Sequence, residues 1–263
     1  MNKYILSVII SLQATGLFAG SFESLPTRDG VKLPFFYEKP DQAKAVVVLF
    51  QGGSGRIGVS GTKEKGWIQQ DKAFLSGGAN RFSKNGLAVA IVDTPSDRRD
   101  LNGGFRNSAE HNQDIKKLFD FLVLDNPSIP IWFIGTSNGS LTAAGAAAVI
   151  NDSAVGGIVL TSTVTEEHTF SIGKRFVHPI YRANLQQVTV PVLIIHHKLD
   201  RCNHSLYHPI DALTKAFPNA KKVELISVEG GSDISDACNG GYHQFLGQEQ
   251  EVTDIISKWI LSN

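Results

Sequence analysis

Six short segments of this chain are near-continuous runs of apolar residues, and longer polar stretches separate them. The segments are AVVVLF (45–50), LAVAIVD (87–93), IWFIG (131–135), GIVLTS (157–162), PVLIIHH (191–197) and VELISV (223–228). Such continuous apolar runs are typical of strands that are buried on both faces of a mostly parallel sheet. We therefore predict a sheet strand at each segment, with VKLPFFYE (31–38) and the strand at 45–50 forming an opening pair.

Between these strands, apolar residues at spacings of three and four, or runs of small apolar residues, predict helices. The predicted helices cover 109–124, 137–150, 206–217 and 249–261, while 54–80 and 163–188 lack periodicity and are expected to form loops or a small cap. This alternation predicts an α/β fold, a doubly wound and mostly parallel sheet with helices on both faces. We see no repeat or linker, and predict one domain over 21–263 with little or no cap.

The start of the chain has the pattern of a secretory signal peptide. Lys3 precedes an apolar stretch from Tyr4 to Leu12, and small residues follow near Ala19. The apolar stretch is shorter than the roughly 20 residues that a membrane-spanning helix needs. We expect residues 1–20 to be removed on export, which leaves a periplasmic or secreted protein without a membrane anchor.

The balance of charge bears on the partners of the protein. Lys plus Arg and Asp plus Glu both total 25, and no basic run occurs anywhere in the chain. A protein that binds nucleic acid or an anionic membrane surface normally carries clustered positive charge. We therefore expect a small-molecule substrate rather than a nucleic acid or a membrane partner.

The loop after the strand at 45–50 matches the G-x-G-x-x-G dinucleotide fingerprint through Gly53, Gly55 and Gly58. A pyrophosphate site of this kind needs a helix that begins directly after the loop. The residues after Gly58 show no helical period, and the nearest acid at a strand end, Asp93, lies about 35 residues further on. We therefore expect no nucleotide, and indeed no cofactor.

A second glycine motif carries a nucleophile. IWFIGTSNGSLTAA (131–144) places G-x-S-x-G, centred on Ser137, between a predicted strand and a predicted helix. In a nucleophile elbow the serine occupies a strained turn at this junction, where strand and helix approach closely. Gly135, Gly139 and Ala143 supply the small residues that such an approach needs. Ser137 is the predicted nucleophile.

A serine hydroxyl becomes a good nucleophile only beside a base, which an acid must orient. Asp200 follows the strand at 191–197, and His243 comes shortly before the last predicted helix. The chain order serine, acid, histidine is that of the nucleophile-elbow hydrolases. The sequence leaves Asp233 and Asp236 open as alternative acids.

A metal site is the main competing interpretation of the histidines. His204 and His208 have the i, i+4 spacing of a metal-binding pair. However, His196 and His197 are consecutive residues of a predicted strand, so their side chains point to opposite faces. We predict no metal.

Over essentially its whole mature length the chain resembles the α/β-hydrolase superfamily. More narrowly it resembles exported members with FQGGSGRIG, DTPSD, GFRNSAEHNQDI, GTSNGS, HHKLDRC and CNGGYHQFLGQE. The resemblance implies Ser137, Asp200 and His243 as the catalytic triad, and it implies no particular substrate. Gln51 departs from the family pattern, because many members have histidine before the glycines.

In such hydrolases, two backbone N–H groups hold the oxyanion of the tetrahedral intermediate. One belongs to the residue after the nucleophile, which is Asn138 here. The other comes from the loop after the strand at 45–50, where we expect Gly53 or Gly52 to supply it. The glycine loop is thus predicted to bind an oxyanion rather than a phosphate.

The two cysteines flank the predicted acid and base, since Cys202 lies two residues after Asp200 and Cys238 five residues before His243. We expect both loops at one edge of the sheet, so the cysteines are predicted to form a disulfide, as suits an exported protein.

These features together predict an exported serine hydrolase that works through an acyl-enzyme, most simply on carboxylic esters. A peptidase or amidase of the same fold is the alternative. A metal-dependent hydrolase and a non-catalytic binding protein are competitors of other classes.

Overall fold

The computed structural model describes residues 20–62, 66–69, 73–170 and 175–263. All but the last residue of the predicted signal peptide lies outside this range, so the signal peptide stays a prediction. Within the described part of the chain, no helix is long and apolar enough to cross a membrane.

The protein is built from twelve described strands and six described α-helices. The strands are β1 (Ser21–Arg28), β2 (Val31–Glu38), β3 (Ala45–Phe50), β4 (Val59–Thr62), β5 (Gly66–Gln69), β6 (Leu87–Val92), β7 (Ile131–Thr136), β8 (Val155–Thr161), β9 (His168–Phe170), β10 (Arg175–Val177), β11 (Val192–His197) and β12 (Val223–Val228). The helices are α1 (Ala79–Lys84), α2 (Gly103–Arg106), α3 (Ala109–Asp125), α4 (Gly139–Val149), α5 (Ile210–Leu213) and α6 (Glu249–Ser262).

Eight of the described strands form one sheet in the order β1-β2-β6-β3-β7-β8-β11-β12. All pairs from β6 to β12 are parallel, and β2 pairs antiparallel with both β1 and β6. The predicted α/β fold with a mostly parallel sheet is therefore confirmed. All six predicted apolar strands lie in this sheet.

The predicted pairing of 31–38 with 45–50 is wrong, because β6 lies between β2 and β3. Every residue of β3 and of β6 is buried, whereas β2 is only partly buried. Two fully apolar strands therefore pair in the interior of the sheet, and β2 takes a place near its edge. The strand β1 is not predicted by the sequence pattern, because it is polar; its Pro26 is tolerated because the strand lies at the edge of the sheet.

Three of the four predicted helices are confirmed as α3, α4 and α6, each within two residues of its predicted ends. The predicted helix at 206–217 shrinks to α5 and a 3₁₀ turn at 214–216. Pro209 explains the late start, because proline lacks the N–H that an interior helical position must donate. The aperiodic stretches 54–80 and 163–188 contain the separate hairpins β4–β5 and β9–β10.

Helices cover both faces of the sheet, as predicted. Val46 and Val48 of β3 pack in one core cluster with α3 and α4, while Val47 and Leu49 pack in a second cluster with α1 and α6. Because β3, β6, β7, β8, β11 and β12 are parallel, their carboxyl ends share one edge of the sheet. The loops that follow these strands carry the candidate site.

Candidate active site

Ser137 lies in the turn between β7 and α4, at the carboxyl edge of the sheet. Its backbone φ is +52°, a left-handed conformation that residues other than glycine rarely adopt. Its N–H donates to the carbonyl of Thr161 at the end of β8, which anchors the turn to the neighbouring strand. The local geometry is the strained strand-to-helix turn that the motif predicts.

The glycines on both sides of Ser137 are required by close backbone contacts. A Cβ added to Gly139 would lie 2.0 Å from the carbonyl oxygen of Phe50, and one added to Gly135 would lie 2.4 Å from the carbonyl oxygen of Gly139. No side chain fits at such distances. The sequence therefore uses glycine here to let α4 start directly against β3 and β7.

Asp200 and His243 follow the neighbouring strands β11 and β12, and their buried side chains meet. Nδ1 of His243 lies 2.8 Å from Oδ2 of Asp200. An ionised carboxylate only accepts hydrogen bonds, so this contact places a proton on Nδ1 and leaves Nε2 as the basic nitrogen. The structure thus brings together the predicted acid and histidine, at the edge of the sheet that also carries Ser137.

Three further groups surround the Asp200 carboxylate. Oδ1 accepts the N–H of Cys202 at 2.9 Å, and Oδ2 accepts the Ser205 hydroxyl at 3.2 Å and lies 3.4 Å from Nε2 of His196. Burial by itself would raise the pKa of Asp200, but the hydrogen bonds from His196 and His243 outweigh it and hold the pKa well below its usual range. The acid is therefore a stable anion beside the imidazole.

Two of these groups are not predicted from the sequence. His196 is recognisable there only as a candidate metal ligand, and no pattern indicates a role for Ser205. Nε2 of His196 lies 2.7 Å from the Ser205 carbonyl, so the ring also fixes the backbone of the acid loop. A third missed residue, Ser162, has a φ of +44° and donates its hydroxyl to the His243 carbonyl at 2.7 Å. This bond ties the histidine loop to the end of β8.

The alternative acids lie elsewhere. Asp233 forms an ion pair with Arg201, and Asp236 accepts the N–H groups of Cys238 and Asn239 in its own turn. Among the contacts of the described residues, His243 meets a carboxylate only at Asp200.

The glycine loop after β3 lies directly beside Ser137. A Cβ added to Gly52 would lie 2.8 Å from Cβ of Ser137, so only glycine fits there. Gly53 has a φ of +53°, and the N–H of Gly55 donates to the Gly52 carbonyl at 2.9 Å and closes a turn. Within the described part of the chain, the backbone N–H groups of Gly52, Gly53 and Asn138 have no acceptor. These are the three oxyanion donors predicted from the sequence.

Gln51, the departure from the family pattern, points away from this turn. Its side-chain oxygen accepts the backbone N–H of Ser76, at the start of a 3₁₀ turn, at a distance of 3.3 Å. The side chain therefore ties the loop after β3 to the segment before α1.

A buried arginine, Arg106, stabilises the glycine loop through hydrogen bonds to its backbone carbonyls. Nη2 of Arg106 donates to the carbonyls of Gln51 and Gly53 at 3.1 and 3.2 Å, and Nη1 donates to the hydroxyl of Thr142. The side chain is only 1% exposed, and burial lowers its pKa to about 9. No sequence pattern predicts this role, because one arginine in a short helix resembles any surface arginine.

The predicted disulfide between Cys202 and Cys238 is confirmed, with the two Cα atoms 4.7 Å apart. It links the loop that carries Asp200 to the loop that carries His243. A nitrogen of His204 and the two sulfurs lie within 4.8 Å of one another. Because both sulfurs are bonded to each other, neither is the thiolate that a metal would bind.

No protein-family model and no curated protein sequence matches the chain. Solved structures do match it. The dienelactone hydrolase of Anabaena variabilis is 16% identical, with a TM-score of 0.62 over 92% of this chain and 98% of that one. An esterase of Pyrococcus furiosus is 13% identical, with a TM-score of 0.64 over 92% of both chains. The acylaminoacyl peptidase of Pyrococcus horikoshii is 13% identical, with a TM-score of 0.60 over 92% of this chain but 41% of the peptidase. The chain therefore has the α/β-hydrolase fold that its strand pattern and its G-x-S-x-G motif predict.

Proposed function

We propose that the protein is a serine hydrolase with Ser137 as nucleophile, His243 as general base and acid, and Asp200 as the orienting acid. The observation that carries the proposal is the buried Asp200–His243 hydrogen bond, at the same edge of the sheet as a serine in a strained strand-to-helix turn. Backbone strain persists only where the surrounding structure enforces it, and it concentrates at functional sites.

In the proposed reaction, Nε2 of His243 takes the proton of the Ser137 hydroxyl as Oγ attacks the carbonyl carbon of the substrate. The imidazolium then gives this proton to the leaving group, and an acyl-enzyme remains. Water attacks the acyl-enzyme by the same route and releases the acid. The charge on Asp200 stabilises the imidazolium and keeps the ring in the tautomer whose Nε2 is free.

The N–H groups of Asn138, Gly52 and Gly53 are the proposed oxyanion donors. Donors that are oriented before the reaction stabilise the developing charge without reorganisation, and each is worth about 10²- to 10³-fold in kcat. Arg106 orients this loop through the carbonyls of Gln51 and Gly53. Because C=O and N–H point in opposite directions across a trans peptide, fixing the Gln51 carbonyl also fixes the N–H of Gly52.

A carboxylic ester is the proposed substrate class. Two of the structural neighbours are named as an esterase and a dienelactone hydrolase, and the chain covers nearly all of both. The peptidase supports the amidase alternative more weakly, because the similarity covers 41% of its length. Export is part of the proposal, supported by a disulfide of the kind that persists in oxidising compartments.

Labelling with a fluorophosphonate probe tests the proposal. An activated serine displaces fluoride from the probe and keeps the phosphonyl group, so we expect one adduct on the Ser137 peptide and none in Ser137→Ala. A non-catalytic protein would not react, and a metal-dependent hydrolase would cleave esters without labelling and lose activity with a chelator. Parallel rates on matched ester and anilide substrates separate esterase from amidase.

Replacing Arg106 with methionine is expected to lower kcat by about 10²-fold with little change in KM, because the oxyanion donors lose their alignment. The affinity for a boronic acid transition-state analogue should fall in parallel. Arg81→Met is the matched control, since Arg81 also donates to a backbone carbonyl, that of Phe74, at 2.9 Å. We expect the control to affect thermal stability alone. Equal losses of kcat in both variants would assign Arg106 a purely structural role.

Reduction of the Cys202–Cys238 disulfide is expected to lower kcat about tenfold or more under conditions in which the protein stays folded. The bridge fixes the acid loop relative to the base loop, and small displacements of catalytic groups cost large factors in rate. Its loss should also cost at most about 4 kcal/mol of stability. Turnover and circular dichroism are measured with and without a phosphine reductant, and the double Cys→Ser variant is the control that the reductant should not alter further. Unchanged turnover after complete reduction would contradict the prediction.

A further inference from the structure

A pocket of about 390 Å³ lies beside the glycine loop, and three arginines line it. They are Arg56, within the glycine loop, and Arg98 and Arg99, in the segment that follows β6. The acidic residue in the lining is Asp93, and Thr94 and Ser96 add hydroxyl groups. We call this the arginine pocket. It has no part in the triad or the oxyanion donors described above.

The positive charge of the arginine pocket is only partly neutralised by neighbouring carboxylates. Among the described residues, the guanidinium groups of Arg56 and Arg99 have neither a hydrogen bond nor an ion pair. Arg98 stacks 4.4 Å above the ring of Phe105 and lies 3.7 Å from Asp97, which is itself paired with Arg28. Two guanidinium groups therefore remain available to a ligand, and a third is held in place by a ring.

Asp93 offsets part of this charge: burial raises the pKa of its carboxyl, while the nearby Arg56 guanidinium acts in the opposite direction. Its Oδ1 accepts the N–H groups of Ile57 and Thr94 at 3.2 and 2.7 Å, so the carboxyl is engaged with the backbone. The first of these bonds also joins the glycine loop to the end of β6. Asp93 thus helps to build the wall of the pocket, and the three arginines determine its charge.

The pocket lies within reach of a substrate bound at Ser137. Gly52 contacts Ser137, and Arg56 follows Gly52 by four residues, which span at most about 14 Å even when fully extended. The Gly52–Gly55 turn makes the true separation shorter. In addition β6 and β3 are neighbours in the sheet, about 4.8 Å apart, and both end at this edge.

We propose that the arginine pocket binds a carboxylate carried by the substrate, so that the preferred substrates are esters with an anionic group several bonds from the scissile carbonyl. This inference rests on the proposed hydrolase activity and specifies its substrate class. Guanidinium groups match carboxylates with two parallel hydrogen bonds, which gives both affinity and orientation. The overall charge of the chain is zero, so the chain as a whole attracts anions only weakly and a local cluster such as this one supplies the attraction.

The test compares esters that differ only in charge. On the acyl side, para-nitrophenyl hydrogen glutarate and its longer homologues are compared with their methyl esters. On the alcohol side, para-acetoxybenzoate is compared with its methyl ester. We expect at least one charged ester to exceed its neutral partner about tenfold in kcat/KM, through a lower KM, which corresponds to about 1.4 kcal/mol. The advantage should shrink at high salt.

Variants link this preference to the pocket. R56Q/R99Q is expected to abolish most of the charged-to-neutral ratio in kcat/KM. Lys44→Gln is the matched control for loss of surface charge, because Lys44 precedes β3 and lies at the opposite edge of the sheet. The Lys44→Gln variant should keep the charged-to-neutral ratio of kcat/KM of the unmodified protein. The proposal would be overturned if the charged-to-neutral ratio of kcat/KM were near one for both the acyl-side and the alcohol-side pairs. It would also be overturned if a higher ratio survived in R56Q/R99Q.

A binding measurement separates this inference from the proposed function. Glutaric acid monoanilide and its methyl ester are titrated calorimetrically into the Ser137→Ala protein. Tighter binding of the anionic anilide, lost in R56Q/R99Q and kept in Lys44→Gln, supports the pocket even if no ester is cleaved. Equal binding of the two anilides overturns it even if fluorophosphonate labels Ser137.

Discussion

Replacing Ser137 with alanine is expected to lower kcat for ester hydrolysis by about 10⁴-fold or more, with residual rate from the oxyanion donors and substrate binding. The fold should persist. The contacts that set the turn are made by the Ser137 N–H and by the neighbouring glycines, not by the hydroxyl. Alanine also carries the same Cβ, so it meets the same backbone strain at φ +52°.

Initial rates on para-nitrophenyl esters measure this effect, with thermal unfolding as the test of structure. Ser162→Ala is an informative comparison, because Ser162 is also a serine with positive φ at the end of a strand, and its hydroxyl bonds the His243 carbonyl. We expect a smaller loss there, since that hydroxyl positions the base loop and takes no part in bond making. Turnover above about a tenth of the unmodified rate in Ser137→Ala would remove the nucleophile assignment.

The sequence predicts the parts of this structure that local patterns encode. β3, β6 and β7 are recognisable because each buries both faces and therefore has apolar residues throughout. Ser137 is recognisable because its turn excludes side chains, which forces glycine at 135 and 139. The pairing of Asp200 with His243 followed from chain order, since parallel strands bring the loops after them to one edge.

Contacts between distant residues that leave no local pattern could not be predicted. Arg106 contacts the Gly53 carbonyl although the two residues are 53 positions apart in the sequence. Nothing in the local sequence distinguishes a buried arginine from an exposed one. Ser205 and His196 contact the Asp200 carboxylate. A serine in a loop and a histidine in a strand are ordinary residues at such positions, so the sequence does not reveal these contacts. Apolar and polar residues alternate enough in β2 for it to be recognised as a strand. The strand with which it pairs, however, depends on the burial of β6.

Replacing Asp200 with asparagine is expected to lower kcat by about 10⁴-fold, nearly as much as loss of the nucleophile. The amide can present its NH₂ to Nδ1 of His243, which then accepts a hydrogen bond and carries its proton on Nε2. In that tautomer the ring has no free electron pair to take the Ser137 proton. Rates on a neutral ester measure the loss, and Asp233→Asn and Asp236→Asn are the matched controls, because both aspartates are engaged in contacts away from His243.

The stability of the same variant provides an independent measurement. The pKa of Asp200 is lower in the folded protein than in the unfolded chain, because hydrogen bonds from His196 and His243 outweigh the effect of burial. Its contribution to the free energy of unfolding is therefore fully present above about pH 4 and is lost as the pH falls toward the folded pKa. The free energy of unfolding is measured with denaturant as the pH is lowered from 5. It should fall more steeply with decreasing pH for the unmodified protein than for Asp200→Asn. An active Asp200→Asn enzyme beside an inactive Asp233→Asn or Asp236→Asn enzyme would instead assign the orienting role to one of the other two acids.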